Sequence, residues 1–224
     1  MMIVQQPVKI NTIHISYLIG RITFQVHEKN HIEIESEQKE KITTIISEHA
    51  FYIKGIPQKE TKQPSKGFFS TLFKHHEEID EIPFVSLLVK VPQNSLHKIE
   101  VTGRLDIRIQ GISSEIELHS FGKNTFKFER IPRLTLFSTG EIEGKVLSSQ
   151  EFILYSSGKT KFDVKSEKMD KVSLSVNGVN NIQVKSLINV LNVDMIGNGR
   201  CLIKGKVHTK NISNSSLSDV ILKE

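Results

Sequence analysis

The sequence predicts an all-β protein, and more specifically a single-stranded parallel β-helix (a β-solenoid) of about 19 residues per coil, with an N-terminal β segment and an inserted loop. Three observations carry this prediction. β-Branched residues dominate the apolar composition, glycines recur at an even interval, and pairs of apolar residues recur at fixed distances from those glycines.

The apolar composition argues against helices. The 224-residue chain contains 29 Ile and 17 Val, but Ala50 is its only alanine. Alanine is the best helix former, whereas β-branched side chains lose rotamer freedom in a helix and pack well on a pleated sheet. A helical bundle or an ordinary βαβ fold is therefore not expected. The apolar fraction of 38% with 25% charged residues is typical of a globular protein.

Residues 1–54 are predicted to form an N-terminal β segment. Apolar and polar residues alternate in short runs, as in strands that are buried on one face, at 8–10, 14–16, 22–26 and 31–35. The runs 42–46 and 50–54 predict a further strand pair. Phe24 and Val26 follow Gly20 by four and six residues, which are the offsets of the later repeats. This segment is therefore expected to form the first coil or coils of the same rod.

Residues 55–83 interrupt the alternation and are predicted to be an insertion or long loop. Gly55, Pro57, Pro64, Gly67 and Pro83 punctuate this stretch. It contains a short apolar cluster, formed by Phe68, Phe69, Leu72 and Phe73. We expect this cluster to cap an open end of the rod, where strand edges would otherwise be unpaired. The alternative is that it docks on a partner or a membrane surface.

Residues 84–224 are predicted to form the β-solenoid repeats. Glycines fall 18 to 20 residues apart, at 103, 122, 140, 158, 178 and 197. Apolar residues lie four and six positions before and after these glycines, with His97 and Gly144 as the exceptions. Residues two apart face one side of a strand, and glycine permits corners that other residues avoid. Each unit is thus one coil, whose inward side chains are buried by stacking on its neighbours. A β-sandwich with evenly spaced strands is the alternative.

The segment 196–207 carries a family resemblance. Its sequence, Ile-Gly-Asn-Gly-Arg-Cys-Leu-Ile-Lys-Gly-Lys-Val, resembles the repeat of the head GIN domain of putative auto-transporter adhesins, a bacterial β-solenoid family of unknown function. Residues 50–54 resemble the short strand before that family's variable connection, and 89–92 with 99–103 resemble the start of its repeats. The resemblance covers most of the chain outside 55–83. It implies a β-solenoid with an adhesin-like role and supplies no catalytic residues.

Charge and targeting signals limit the partners and the location. The formal net charge is +5, but acidic residues are interspersed and there is no long Arg/Lys run, so nucleic acid is not an expected partner. No apolar run approaches the roughly 20 residues of a membrane span, and the first residues lack a signal-peptide pattern. We expect no transmembrane segment and a cytoplasmic location, with export by a signal-independent route left open.

The repeat pattern does not place residues suited to catalysis close together. Asp106 and Glu143 share an outward column, but two coils, or roughly 10 Å, separate them, which is wide for a retaining glycosidase pair and marginal for an inverting one. Cys201 takes an inward position and is expected to be a small core residue. We therefore predict no catalytic residues, no cofactor and no metal site.

One group of residues is a candidate for anion contact. Arg108, Lys127 and Lys145, here called the basic ladder, each follow a repeat glycine by five residues and fall on adjacent coils. Stacked like charges are unfavourable unless an anion or an acidic partner lies between them. Solvated side chains that splay apart are the alternative.

The predicted function is a non-catalytic, adhesin-like interaction or structural module that binds a protein or a glycan through its repetitive faces. The alternatives are a carbohydrate-active β-helix enzyme and a polyanion-binding protein that uses the basic ladder. Homo-oligomers could form through the ends or edges of the rod.

Overall fold

Most of the described chain is β-strand. The computed structural model describes residues 2–4, 10–47, 49–59, 80–112 and 114–223. Its strands are β1 (Met2–Val4), β2 (Thr12–His27), β3 (Ile32–Ser36), β4 (Ile42–Ser47), β5 (Ala50–Gly55), β6 (Gln58–Lys59), β7 (Asp80–Glu81), β8 (Phe84–Pro92), β9 (Lys98–Gln110), β10 (Ile116–Glu129), β11 (Arg133–Leu147), β12 (Glu151–Lys204), β13 (Val207–Asn214) and β14 (Ser218–Lys223). The one helical element of these residues is a 3-10 turn at Lys39–Lys41. The prediction of an all-β protein is confirmed.

Twelve of these strands form one large sheet. Its main path runs β1-β3-β8-β2-β9-β10-β11-β12-β13, while β14 pairs with β12, β5 with β2, and β4 with β5. The pairs β1–β3, β3–β8 and β4–β5 are antiparallel, and the other pairs are parallel. Among the described residues this sheet does not close on itself, because its path ends at β1 and β13. The short strands β6 and β7 form a separate antiparallel pair.

The parallel strands in the middle of the sheet are aligned glycine against glycine. Gly122 lies beside Gly103 on one side and beside Gly140 on the other, and Gly140 lies beside Gly158. The same registers place Leu118 beside Leu136, and both side chains are fully buried. Residues that pair across these strands are 18 or 19 positions apart, which equals the glycine interval in this part of the sequence.

Strand β12 stacks on itself. Its 54 residues would span about 180 Å if the strand were straight. Instead, a Cβ placed on Gly178 would lie 2.2 Å from the carbonyl oxygen of Gly158, and a Cβ on Gly197 would lie 2.4 Å from that of Gly178. All three glycines have positive φ, between +106° and +128°. The strand therefore turns at glycines and brings its successive passes into backbone contact.

The inward side chains form one hydrophobic core along the sheet. Gly144, the exception in the sequence pattern, is explained by its neighbour. A Cβ on Gly144 would lie 2.1 Å from Cε1 of Phe162, so the Phe162 ring fills the space that a larger residue would need. The same ring packs against Phe152, with 5.6 Å between the ring centroids. The apolar volume that Gly144 lacks is therefore supplied from the next strand.

The N-terminal residues belong to the same sheet, but their register relative to the repeat glycines is different. β2 pairs in parallel with β9, and the register shifts between Ser16 and Leu18. Tyr17 has a positive φ of 55° at this bulge. Leu18 rather than Gly20 consequently lies beside Gly103, so the residues that follow Gly20 are displaced by two positions from their counterparts in the later repeats. The predicted strand pair at 42–46 and 50–54 is confirmed as β4 and β5.

The predicted boundaries 1–54, 55–83 and 84–224 stay a prediction. Residues 60–79 lie outside the described residues, and with them the apolar cluster Phe68, Phe69, Leu72 and Phe73. Within the part of the chain that the structure describes, no helix is long and apolar enough to cross a membrane.

Candidate functional site

The outward side chains form rows across neighbouring strands, because the parallel registers place equivalent residues side by side. Glu141 illustrates this, since its carboxylate lies 2.9 Å from Nζ of Lys123 on one strand and 3.0 Å from Nζ of Lys159 on the other. The hydrogen bonds from these lysines, that from Lys123 first, hold the pKa of Glu141 below its ordinary value. Any ligand surface on this molecule is thus built from rows of residues on successive strands.

The structure brings the basic ladder together. Lys127 lies between Arg108 and Lys145 in the sheet, and all three line a groove of about 600 Å³. Carboxylates are interspersed in the same groove. Arg108 lies 3.8 Å from Asp106, and Asp163 occupies the next position of the ladder beside Lys145. The basic ladder therefore belongs to a face of mixed charge.

The carboxylates considered for catalysis are placed two strands apart. Asp106 lies beside Thr125, which in turn lies beside Glu143. Arg21 holds Asp106 at 3.2 Å, and Lys161 holds Glu143 at 2.6 Å. Both carboxylates are therefore engaged in ion pairs on the surface of the sheet.

Cys201 is buried in the core, as its inward position in the sequence indicates. Burial raises the pKa of its thiol to about 12. A thiol in this environment is not poised as a nucleophile, because the thiolate is the reactive form. In the described ranges, no three or more His, Cys, Asp or Glu side chains are grouped so that they could hold a metal ion.

Aromatic side chains form a row that was not predicted from the sequence. His119, Phe137 and Tyr155 occupy equivalent positions on β10, β11 and β12. The ring centroids of His119 and Phe137 are 4.8 Å apart, and those of Phe137 and Tyr155 are 5.0 Å apart with nearly parallel planes. Each residue precedes a repeat glycine by three positions, and this shared offset is the signal that could have revealed the row.

This row borders a groove of about 340 Å³, which we call the apolar-walled groove. Phe121 and Tyr155 are 46% and 45% exposed, and Ile196, which also lines the groove, is 55% exposed. Smaller polar residues line the space as well, namely Ser138, Thr139, Ser156, Ser157, Ser175, Asn177 and Asp194. The groove thus combines exposed apolar side chains with hydroxyl, amide and carboxylate groups.

Ser138 has a buried hydroxyl without a hydrogen-bond partner in the described structure. On the neighbouring strands, the equivalent serines bond across the glycine corner: Ser120 accepts from Asn124 Nδ2, and Ser156 pairs with Thr160. The position four residues after Ser138 is Ile142, which offers no polar atom. The hydroxyl of Ser138 consequently has no polar partner across this corner.

A third groove, larger than the two described above, is strongly basic, and we call it the lysine groove. It encloses about 1070 Å³ and is lined by five cationic side chains and one carboxylate, a formal net charge of +4. The cations are Arg130, Lys165, Lys168, Lys185 and Lys204, and the carboxylate is Glu167. Positive charge is thus concentrated at this groove to a degree that was not predicted from the sequence. The signal was present, because Lys165, Lys185 and Lys204 each follow a repeat glycine by seven residues.

The comparisons with known proteins agree with this architecture. The chain belongs to the family described as "putative auto-transporter adhesin, head GIN domain", whose model matches residues 13–220. A similar solved structure is that of a putative adhesin from Bacteroides fragilis NCTC 9343. It is 16% identical to this chain, with a TM-score of 0.67 over 97% of this chain and 94% of that one, so the likeness concerns the fold. No curated protein matches the sequence.

Proposed function

We propose that the chain is a parallel β-solenoid that serves as a non-catalytic, adhesin-like binding module. The glycine-on-glycine registers of β9 to β12 and the stacking of β12 on itself support the solenoid. Parallel strands in this register present rows of outward side chains, which suit recognition of an extended ligand. The family description favours a role outside the cell over the cytoplasmic location expected from the first residues, and exposure at the cell surface is part of the proposal.

The proposed function rests on the apolar-walled groove. The ligand that this groove fits best is a neutral glycan. A sugar ring has an apolar C–H surface and a rim of hydroxyl groups. Exposed Phe121, Tyr155 and Ile196 can cover the apolar surface, while Asn177 and the neighbouring hydroxyls can bond the rim. A volume of about 340 Å³ is suited to one or two sugar rings rather than to a protein surface.

A non-catalytic role is supported by the positions and ion pairs of the two carboxylates considered for catalysis. Glycosidases need one carboxylic acid to donate a proton and a second carboxylate to act as base or nucleophile. Asp106 and Glu143 are two strands apart, and each is held by a cation at 3.2 Å and 2.6 Å respectively. Two strand spacings of about 4.8 Å separate these carboxylates by roughly 10 Å, which is wide for a retaining pair and marginal for an inverting one.

Binding of neutral oligosaccharides tests the proposal. We expect the protein to bind a member of a glycan array, and Tyr155→Ser to weaken that binding about tenfold, because an exposed aromatic at a binding site contributes strongly to affinity. Phe84→Ser, which alters an exposed aromatic on β8 outside the groove, should bind like the wild type. The affinities are measured by titration calorimetry.

Three results would contradict the proposed function. The wild type could bind no glycan of the array, Tyr155→Ser could bind as well as wild type, or a protein could be the ligand that Tyr155→Ser loses. Release of reducing ends from a polysaccharide panel would identify an enzyme instead.

A further inference from the structure

The lysine groove contains like charges that are not compensated within the described chain. Lys165 pairs with Asp163 at 3.2 Å. In the part of the chain that the structure describes, Arg130, Lys168, Lys185 and Lys204 make no ion pair, and all four are exposed. Glu167 is the single carboxylate in the lining. Elsewhere on this sheet, cations such as Lys123 and Lys161 lie within 3 Å of a carboxylate.

The lysines follow one another along neighbouring strands. A Cβ on Gly205 would lie 2.2 Å from the carbonyl oxygen of Ser186, so these residues are neighbours across the sheet, as are Lys185 and Lys204 that precede them. Lys204 in turn lies beside Lys223 on β14. Neighbouring strands are about 4.8 Å apart, so the cations form a row with that spacing. Like charges placed directly opposite each other destabilise a sheet, and an anion between them removes this penalty.

We propose that the lysine groove binds an acidic polysaccharide that carries one carboxylate per sugar. A chain laid along the row would advance by about one sugar per strand and present one anion to each lysine. Leu187, which is 52% exposed in the groove, offers an apolar contact to a sugar ring, and Gln150 and Ser148 offer polar groups to its hydroxyls. The groove is open to solvent and its lining extends from residue 130 to residue 205, which suits a polymer rather than a small metabolite.

The lining disfavours single-stranded nucleic acid as the occupant. Proteins that bind single strands combine basic residues with aromatic side chains on which the bases stack. The described lining of the lysine groove contains no aromatic residue. A glycan needs only the cations, the polar groups and the aliphatic contact that are present.

This second site goes beyond the proposed function and is separable from it. The lysine groove and the apolar-walled groove share no lining residue, and their ligands differ in charge. Neutral glycan binding at the apolar-walled groove does not require the lysines, and acidic glycan binding does not require Tyr155.

Titration of oligogalacturonate tests the proposal, with a dextran oligomer as the neutral probe and a single-stranded DNA oligomer of equal charge as the competing polyanion. We expect wild-type protein to bind oligogalacturonate, more weakly as ionic strength rises. The variant Lys185→Gln/Lys204→Gln should lose roughly tenfold or more in affinity, since each lysine near an anionic surface contributes a factor of a few. Lys123→Gln/Lys159→Gln is the matched control, because it removes the same charge outside the groove and should bind like wild type.

The outcomes separate the two proposals. Tyr155→Ser should bind oligogalacturonate normally, and Lys185→Gln/Lys204→Gln should keep the neutral glycan. The inference is overturned if oligogalacturonate does not bind, if dextran binds equally well, or if both double variants bind alike. Tighter binding of the DNA oligomer would assign the groove to nucleic acid instead. Circular dichroism of each variant verifies that the fold is retained.

Discussion

At the scale of single residues, Glu33 on β3 couples stability to pH. Its side chain is 4% exposed, yet its carboxylate lies 2.6 Å from Nζ of Lys29 and 3.1 Å from Nε2 of His31, with Lys90 at 3.8 Å. The hydrogen bond from Lys29 is the main cause that lowers the pKa of Glu33 from 4.5 to about 2, against the opposing effect of burial. A lowered pKa means that this stabilisation is present above pH 4.5 and is lost as the pH falls towards 2.

Glu33→Gln should therefore be less stable than wild type at pH 7, with a difference in melting temperature that narrows as the pH falls from 4.5 towards 2. Thermal melts followed by circular dichroism across this range measure the difference. Glu28→Gln, at an exposed position in the connection that precedes β3, is the control and should melt close to wild type at every pH. A gap for Glu33→Gln that does not change with pH would show that the carboxylate has no such role.

At the scale of the strand, the glycine corners place the backbones of successive passes in contact. Gly158 has a φ of +128°, and a Cβ on it would lie 2.2 Å from the carbonyl oxygen of Gly140. Gly158→Ala must therefore strain φ and push apart two backbones, with an expected loss of about 3 kcal/mol in the free energy of unfolding. Gly111 also has positive φ, at +68°, but no atom lies within 4 Å of the position that a Cβ would take there. Gly111→Ala should therefore cost only about 1 kcal/mol.

Denaturant unfolding of the two variants measures both losses. The difference between them reports the backbone contact at Gly158 together with the greater strain of its φ of +128°, because the φ of +68° at Gly111 lies in the left-handed region that L residues can adopt. Equal losses would mean that the corner at Gly158 can widen without a loss of stability. Close contact between the glycines would then contribute little to the free energy of unfolding.

At the scale of the whole molecule, the sequence predicted the strands and their alignment better than it predicted the surfaces. Glycine spacing and inward apolar pairs indicate the strands and the register in which they pair, because both are local patterns that repeat. The bulge at Tyr17 could not be foreseen, since no Gly or Pro marks a change of register there. The lysine groove was not predicted, although three of its lysines share an offset from the glycines. A groove is formed by residues from several rows, and the sequence does not show which rows come together in the fold. Arg130 and Lys168, at other offsets, join it only in three dimensions.

The order of the strands in the sheet also predicts how stability varies along the molecule. When each strand pairs only with its neighbours, inner strands are held from two sides and a terminal strand from one. β10 and β11 have parallel partners on both sides, whereas β13 ends the sheet path, pairs with β12 and has mostly exposed residues. Hydrogen exchange followed by mass spectrometry should therefore find the amides of β10 and β11 the slowest to exchange and those of β13 among the fastest, since local opening costs least where the fewest contacts are lost. Equal protection from β9 to β13 would instead mean that the sheet opens as a single cooperative unit. The stability of β13 would then depend on the whole sheet and not only on its pairing with β12.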